Sequence, residues 1–354
     1  IRMKKKIIIN GDFGAFKTFA GVSRYATEVI LELDKIVEQS DVEIVTPVYG
    51  NIDLKINNIK IIKVGDKPIN IWKNLVLPKY VKKKDGILID LTQAFPLGKN
   101  DITCVHDCIP ELVESAYIGK FRRYIIKPLK LYQRKRALKK SKIIFTVSEF
   151  SKRDIINIYH TNSEKVVVAG NAWQHMLRID RDDSILNKYN LVSKKFYFTL
   201  GSRVPHKNMK WIIEAAKQNP FDKIIIAGEQ SYDKNIYEEQ YPENIIFTGY
   251  ITDGEVKSLM SECKAFLFPS LYEGFGIPPM EALAEGTPII ISNISCLPSI
   301  YGDSAHYINP SNYTDINLSS ILQQKVGDTK KVLAQYSWEK TAGIIWDEIK
   351  KIYE

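Results

Sequence analysis

Two glutamates eight positions apart, Glu273 and Glu281, stand in a stretch that is otherwise mostly glycine, proline and apolar side chains, FLFPSLYEGFGIPPMEALAEGTPIII over residues 266–291. Ionised carboxylates only accept hydrogen bonds, so a pair of them suits a hydroxyl-rich ligand such as a sugar or a ribose. The surrounding elements supply the complement. Residues 266–268 read as a short buried strand, and Pro269, Ser270, Gly274, Gly276, Pro278 and Pro279 make a turn-rich loop. Proline is tolerated at the first helical positions, so a helix starts at Pro278 or Pro279, with Met280, Leu283 and Ala284 on its apolar face and Gly286 at its end. Residues 288–291 form a second buried strand. The helix N-terminus opens at the carboxyl end of the first strand, where free N–H groups and the dipole favour a phosphate. Gly274 and Gly276 let the backbone approach a ligand closely. A plainer account also fits: Glu281 complements the dipole of its own helix and Glu273 is a surface loop charge.

The run Glu273-Gly274-Phe275-Gly276-Ile277-Pro278-Pro279-Met280-Glu281 resembles the E-x7-E signature of the family 4 retaining glycosyltransferases of the GT-B fold. The match includes the EGFG core, the proline after it, the ME-A pair, the trailing G-x-P and the upstream PS. This resemblance implies an α/β chain of two Rossmann-like domains, each a doubly wound parallel sheet, facing across a cleft. Residues 1–172 are then the acceptor-binding domain, with a C-terminal helix at 340–354 packing back on it, and residues 173–339 bind the nucleotide sugar. It also implies that Glu273, with the loop from Gly274 through Phe275 and Gly276 to Ile277, holds the sugar and that Glu281 holds the ribose hydroxyls.

Other stretches of the second half fit the same frame. A strand at 196–200 leads into GSRVPHKN, where Arg203 offers a planar fork and Lys207 a point charge, both suited to a diphosphate. They are otherwise ordinary surface cations; the family pattern of G-x-R followed by KN implies phosphate binding and stabilisation of the leaving group. His206 has no assignable role. A strand at 245–248 ends in Gly249-Tyr250-Ile251, the turn that holds the base in the family, and Tyr250 can stack on it. Asp180-Arg181-Asp182 looks superficially like a DxD metal motif, but it sits in a polar linker over 173–190 and reads as a surface charge cluster. No metal and no cofactor are expected.

In the first half, short apolar runs at 7–9, 42–45, 59–64, 87–91, 102–105 and 143–147 alternate with polar or helical segments, as in a parallel sheet. The turn Asn10-Gly11-Asp12-Phe13-Gly14 is not a dinucleotide fingerprint. Gly21-Val22-Ser23-Arg24-Tyr25 resembles the family's GGxxRY loop, with Ala20 where a second glycine is common. That implies Gly21 near the donor phosphates, although an ordinary strand–loop–helix accounts for it equally. His106-Asp107 follows the strand at 102–105 and matches the family's His-Asp, which implies an imidazole near the transferred sugar. Asp107 either orients it or faces the acceptor. A lone histidine is otherwise a structural one.

A chain of 354 residues with 45% hydrophobic and 26% charged side chains is long enough for two globular domains. No apolar run approaches the roughly 18 residues that span a bilayer. Lys4–Lys6 lead into only three apolar residues, so a secretory leader is not expected. The four cysteines show no CxxC spacing and fit a reducing compartment. The net charge of +9 is uneven: residues 1–170 carry a net +13 and residues 171–354 a net −4, so the halves meet different partners. The stretch 117–142 concentrates the excess, with Arg122, Arg123, Lys127, Lys130, Arg134 and Arg136 mixed with Phe121, Tyr124, Ile125 and Leu129 and no acidic residue. It is either a solvated face or a surface for an anionic membrane. No reading helix or stacking motif accompanies it, so nucleic acid is not expected.

These expectations add up to a retaining, metal-independent glycosyltransferase. It would move a sugar such as mannose, fucose or rhamnose from a GDP-, UDP- or dTDP-linked donor to an oligosaccharide or lipid-linked glycan in capsule, O-antigen or exopolysaccharide assembly. The expected setting is cytoplasmic, at the inner face of the cell membrane. A nucleotide-sugar epimerase or a glucan synthase is the enzymatic alternative, and a two-lobed sugar-binding protein is the non-enzymatic one.

Overall fold

The structure, a computed structural model, describes residues 5–16, 21–38, 41–113, 121–201, 204–228 and 241–353. The chain forms two compact units. The first holds Ile1–Glu111, Tyr117–Asn171 and Ser337–Glu354; the second holds Ala172–Tyr336 with Leu112–Ala116.

Seven strands make the sheet of the first unit: β1 (Ile7–Asn10), β2 (Val42–Thr46), β3 (Lys60–Lys63), β4 (Ile87–Asp90), β5 (Ile102–Val105), β6 (Ile143–Thr146) and β7 (Val166–Val168). Their spatial order is β3-β2-β1-β4-β5-β6-β7 and every pairing is parallel. A parallel sheet is covered on both faces, which is why its central strands are continuous apolar runs rather than alternating ones. Ile7, Ile8 and Ile9 are all buried. Helix α1 (Gly21–Ile36) buries Ala26, Val29, Ile30 and Leu33. It packs against the C-terminal helix Trp338–Tyr353, which belongs to this unit. Helix α2 (Lys127–Lys140) carries the basic stretch, with Pro128 in its first turn, where the missing N–H costs nothing.

Six strands make the second sheet: β8 (Phe196–Leu200), β9 (Lys223–Ala227), β10 (Ile245–Gly249), β11 (Ala265–Phe268), β12 (Ile289–Ser292) and β13 (His306–Ile308). The order is β10-β9-β8-β11-β12-β13, again all parallel. Helix α3 (Met209–Gln218) buries Trp211, Ile212, Ala215 and Ala216 in a cluster with Tyr197, Ile224 and Leu267 of the sheet. Helices α4 (Asp253–Glu262) and α5 (Ile277–Ala284) follow β10 and β11. In each sheet the strand order reverses at one place, between β1 and β4 and between β8 and β11, and ligands of such sheets bind outside the strand ends at that switch point.

The segment after Ala172 is more ordered than its composition suggests. A 3-10 turn at Gln174–Arg178 and a short helix at Ser184–Lys188 are held to the second unit. Trp173 Nε1 donates to the Leu333 carbonyl (3.0 Å), Gln174 Nε2 to the Tyr336 carbonyl (2.9 Å), and Lys257 Nζ to those of Met176 and Ile179 (2.6 and 2.8 Å). Arg181 pairs with Asp183 and Glu262, while Asp182 accepts the Ser184 N–H (3.0 Å). Among the described residues no helix is long and apolar enough to cross a membrane. All four cysteines are free and buried, and burial raises the pKa of each thiol.

The loop after β4 shapes the first unit's switch point. Asp90 is fully buried and accepts the backbone N–H groups of Thr92, Ala94 and Phe95 at 3.2, 3.2 and 2.8 Å. Gln93 and Phe95 have left-handed backbones (φ 58° and 47°), a cost that those three bonds offset. Asp90→Ala should therefore lower the stability of this unit by roughly 3 kcal/mol in urea unfolding, since it strands buried N–H groups. An unchanged midpoint would mean that the loop is held by other contacts.

Candidate functional site

The second unit's site grows from the strand ends that flank its switch point. After β8 the chain makes a 3-10 turn at Pro205–Lys207 and passes through Asn208, whose left-handed backbone (φ 57°) opens α3. After β11 it runs through Pro269 to Glu273 and enters α5. Three contacts tie the loops together. The Leu271 N–H donates to the His206 carbonyl (2.7 Å), Asn208 Nδ2 donates to the Pro269 carbonyl (3.1 Å), and Lys207 Nζ lies 2.7 Å from Glu273 Oε1. Lys207 also sits 4.7 Å from the centre of the Phe268 ring, a cation–π contact.

Glu273 is 9% exposed, so it is not a surface loop charge. Ser295 brackets its backbone, accepting from its N–H (3.0 Å) and donating to its carbonyl (2.8 Å). Gly276 precedes the first residue of α5 with φ 84°, and a Cβ there would lie 2.8 Å from Leu297 Cδ2, so both conformation and space require glycine. Tyr301 donates its hydroxyl to the Gly276 carbonyl and fixes the turn. Phe275 meets Tyr336 edge-on at 5.2 Å. Helix α5 buries Met280 and Leu283 as the periodicity requires, with Ala282 buried in place of Ala284. Glu281 lies in the helix, and its Oε1 is 2.7 Å from Nε2 of the buried His175. Tyr250 is 71% exposed after β10, with Ile251 half-buried beside it. Burial and Lys207 hold the His206 pKa down at about 4, so its imidazole is neutral. Arg203 lies outside the described residues.

The first unit has a cavity of about 470 Å³ at its own switch point, lined by the loops after β1, β4 and β5 and by α2. Asp12, Lys73 and Gln93 give it polar groups, and Phe95 and Ile109 apolar wall. Thr92 Oγ1 donates to Asp12 (2.7 Å). Burial first, and the Asp90 carboxylate second, push the Asp12 pKa up to about 7, while Thr92 and Lys73 pull it down. His106 is buried, with Tyr25 edge-on at 4.6 Å. Its Nε2 is 2.9 Å from the Leu91 carbonyl, an acceptor, which assigns the ring proton to Nε2. Burial lowers its pKa to about 4, so this imidazole is neutral at physiological pH. Asp107 Oδ1 accepts the Ile109 N–H (3.0 Å). Gly21 opens α1, and a Cβ built there meets nothing within 4 Å.

The basic stretch is corrected in one respect. Arg134 is not a surface residue. Its Nη1 lies 3.0 and 2.9 Å from the two Glu111 oxygens and 2.9 Å from the Asp107 carbonyl, and Nη2 donates to Gln93 (2.9 Å). It shares the inner face of α2 with the buried Ala137 and Leu138. Arg136 is half-buried and donates to the Leu97 carbonyl (2.9 Å). Arg122, Arg123 and Lys130 are exposed and Lys127 is half-buried, beside exposed Phe121, Tyr124, Ile125 and Leu129.

Sequence reasoning missed His175, Ser295, Tyr301 and Asp12, and quoted Asn208 only as part of the KN pair. Asp12 had a signal as an acidic residue just beyond the first strand.

Residues 182–323 match the family described as glycosyl transferases group 1, a segment that contains Lys207, Glu273 and Glu281. Among similar proteins, the O-antigen chain mannosyltransferase RfbU of Salmonella typhimurium is 29% identical over 246 residues, which cover 66% of this chain and 63% of that one. The O-antigen chain mannosyltransferase B of Escherichia coli is 27% identical over 57% of this chain and 59% of that one. The chain therefore spans less than two thirds of the length of these relatives. Among solved structures, sucrose-phosphate synthase from Thermosynechococcus elongatus superposes with a TM-score of 0.75 at 14% identity over 99% of both chains. WaaG, a glycosyltransferase involved in lipopolysaccharide biosynthesis, does so with 0.65 at 16% identity over 95% of this chain and 94% of that one. The two parallel-sheet units have the architecture of the GT-B fold.

A buried acid whose pKa is raised in the folded state binds a proton that the unfolded chain has released. Asp12 should therefore weaken the first unit as pH rises from about 4 to about 7, by up to about 4 kcal/mol, with the loss complete above that window. Asp12→Asn should flatten this slope in unfolding measured at pH 5 and pH 8. A variant with the wild-type slope would place the titration elsewhere.

Proposed function

We propose that this chain is a nucleotide-sugar-dependent glycosyltransferase that transfers its sugar with retention, without a metal ion, to a glycan acceptor in surface-polysaccharide assembly. The observation that carries the reading is the ion pair of Lys207 and Glu273 at the β8/β11 switch point, beside the Gly276-opened N-terminus of α5. An ammonium and a helix N-terminus on one strand edge stabilise the charge that grows on a departing diphosphate, commonly the largest catalytic contribution. Glu273 neutralises Lys207 within the protein. A donor diphosphate gives Lys207 a second anion and frees Glu273 to accept from sugar hydroxyls, while Glu281 takes the ribose. The leaving phosphate accepts the acceptor's proton, so no separate base is needed, and His106 acts as a neutral imidazole. Mannose is the first donor sugar to test, because the relatives named above are mannosyltransferases.

The first unit's cavity, with hydrogen-bonding groups and apolar wall, suits the terminal ring of an oligosaccharide or lipid-linked acceptor. The exposed Phe121, Tyr124, Ile125 and Leu129 with Arg122, Arg123 and Lys127 suit an anionic membrane at the cytoplasmic face.

Thermal unfolding with GDP, UDP and dTDP and their sugars, in the presence of a chelator, tests the donor site. One base should stabilise the protein by about 2.7 kcal/mol at a hundredfold excess over Kd. No stabilisation by any nucleotide would remove the ground for a transferase, and a requirement for added metal would overturn the metal-free mechanism. Lys207→Ala should lower the melting temperature, because it leaves the Glu273 carboxylate without its partner, and should cut turnover about a hundredfold or more in protein still folded at the assay temperature. Proton NMR of the first product formed should show the donor's anomeric configuration; inversion would reject retention. Exchanging Arg122, Arg123 and Lys127 for glutamate should abolish sedimentation with anionic vesicles and leave transfer to a soluble acceptor intact.

A further inference from the structure

His175 belongs to no motif in the sequence, yet it makes a direct contact with a proposed ligand-binding carboxylate. It is 1% exposed and sits in the turn Gln174–Arg178, just after the chain enters the second unit. Its Nε2 is 2.7 Å from Oε1 of Glu281, 106 residues away. An ionised carboxylate can only accept, so the imidazole donates. The Glu281 side chain keeps 14% of its surface exposed where the imidazole keeps 1%, so the carboxylate is gripped from the core side and still open to a ligand.

The grip is rigid. The residues around His175 are fixed on both sides, Trp173 and Gln174 by the carbonyls of Leu333 and Tyr336, and Met176 and Ile179 by Lys257. Tyr336 in turn packs on Phe275 of the loop that leads into α5. A glutamate side chain otherwise turns freely about three bonds and loses that freedom on binding. Held in advance by a buried donor, it meets a ligand already in place.

We propose that His175 is a positioning residue for the donor's ribose. It holds one oxygen of Glu281 so that the carboxylate accepts from the ribose 2′- or 3′-hydroxyl. This rests on the reading of Glu281 as the ribose-binding residue.

The test is calorimetric binding of the preferred nucleoside diphosphate and of its 2′-deoxy and 3′-deoxy forms. The proteins are wild type, E281Q, H175L, H175F and H175Q, each with its melting temperature. Wild type should bind the ribonucleotide about tenfold or more tighter than at least one deoxy form, since a hydrogen bond to a charged group is lost. E281Q should remove most of that ratio. H175L and H175F should cut it to about threefold or less while changing deoxynucleotide affinity little, and H175Q, which keeps a donor, should restore part of it. The proposal is overturned if a folded H175L or H175F keeps the wild-type ratio, or weakens ribo- and deoxynucleotide equally. It is also overturned if neither variant folds, because the histidine is then a core residue. A wild type that binds no nucleotide, or whose ratio E281Q leaves intact, instead rejects the reading of the site on which the proposal rests.

Discussion

Two loops of the second unit leave neighbouring strands of a parallel sheet and are drawn together by a lysine and a glutamate 2.7 Å apart. Neither side chain is well hydrated, and a partly buried charge whose partner is removed costs far more than the pair contributes. The pair therefore constrains everything around it: the turn that presents Lys207, the serine that brackets the Glu273 backbone, and the glycine that lets α5 start where it does. It satisfies both charges within the protein. A cleft that held an unpaired lysine would have to carry that charge through folding.

The same geometry explains where the groups stand. Both sheets are parallel throughout, so the loops on one edge all follow strand carboxyl ends. Where strand order reverses, adjacent loops diverge to opposite faces and leave a crevice. In the first unit that place holds Asp12, Asp90 and the His106 strand end; in the second it holds Lys207 and Glu273. The chemistry thus collects at two predictable points of two similar sheets, although the residues involved share no pattern.

The second unit's site was legible where it is local. Residues 266–291 contain a strand, a loop and a helix start in one window, and proline, glycine and apolar spacing identify each of them. What the window could not show is the long-range support. His175, Ser295 and Tyr301 reach the site across 106, 22 and 25 residues, through side chains that resemble any buried histidine, serine or tyrosine. The basic stretch misled for a related reason. A run of cations reads as a surface, but a helix always turns one face inward, and on α2 that face carries Arg134 to Glu111. Likewise the polar composition of 173–190 suggested a linker because its anchors are backbone carbonyls, which have no letter in the sequence.

The four cysteines have a practical consequence. Each is free, buried and made harder to ionise, so the native protein offers reagents almost no thiolate. A single cysteine introduced on an exposed position of each unit would then be the only reactive sulfur there. Spin or fluorescent labels could be attached to the wild-type background without first stripping it of sulfur. The distance between the units, with and without nucleotide, could be read directly in solution.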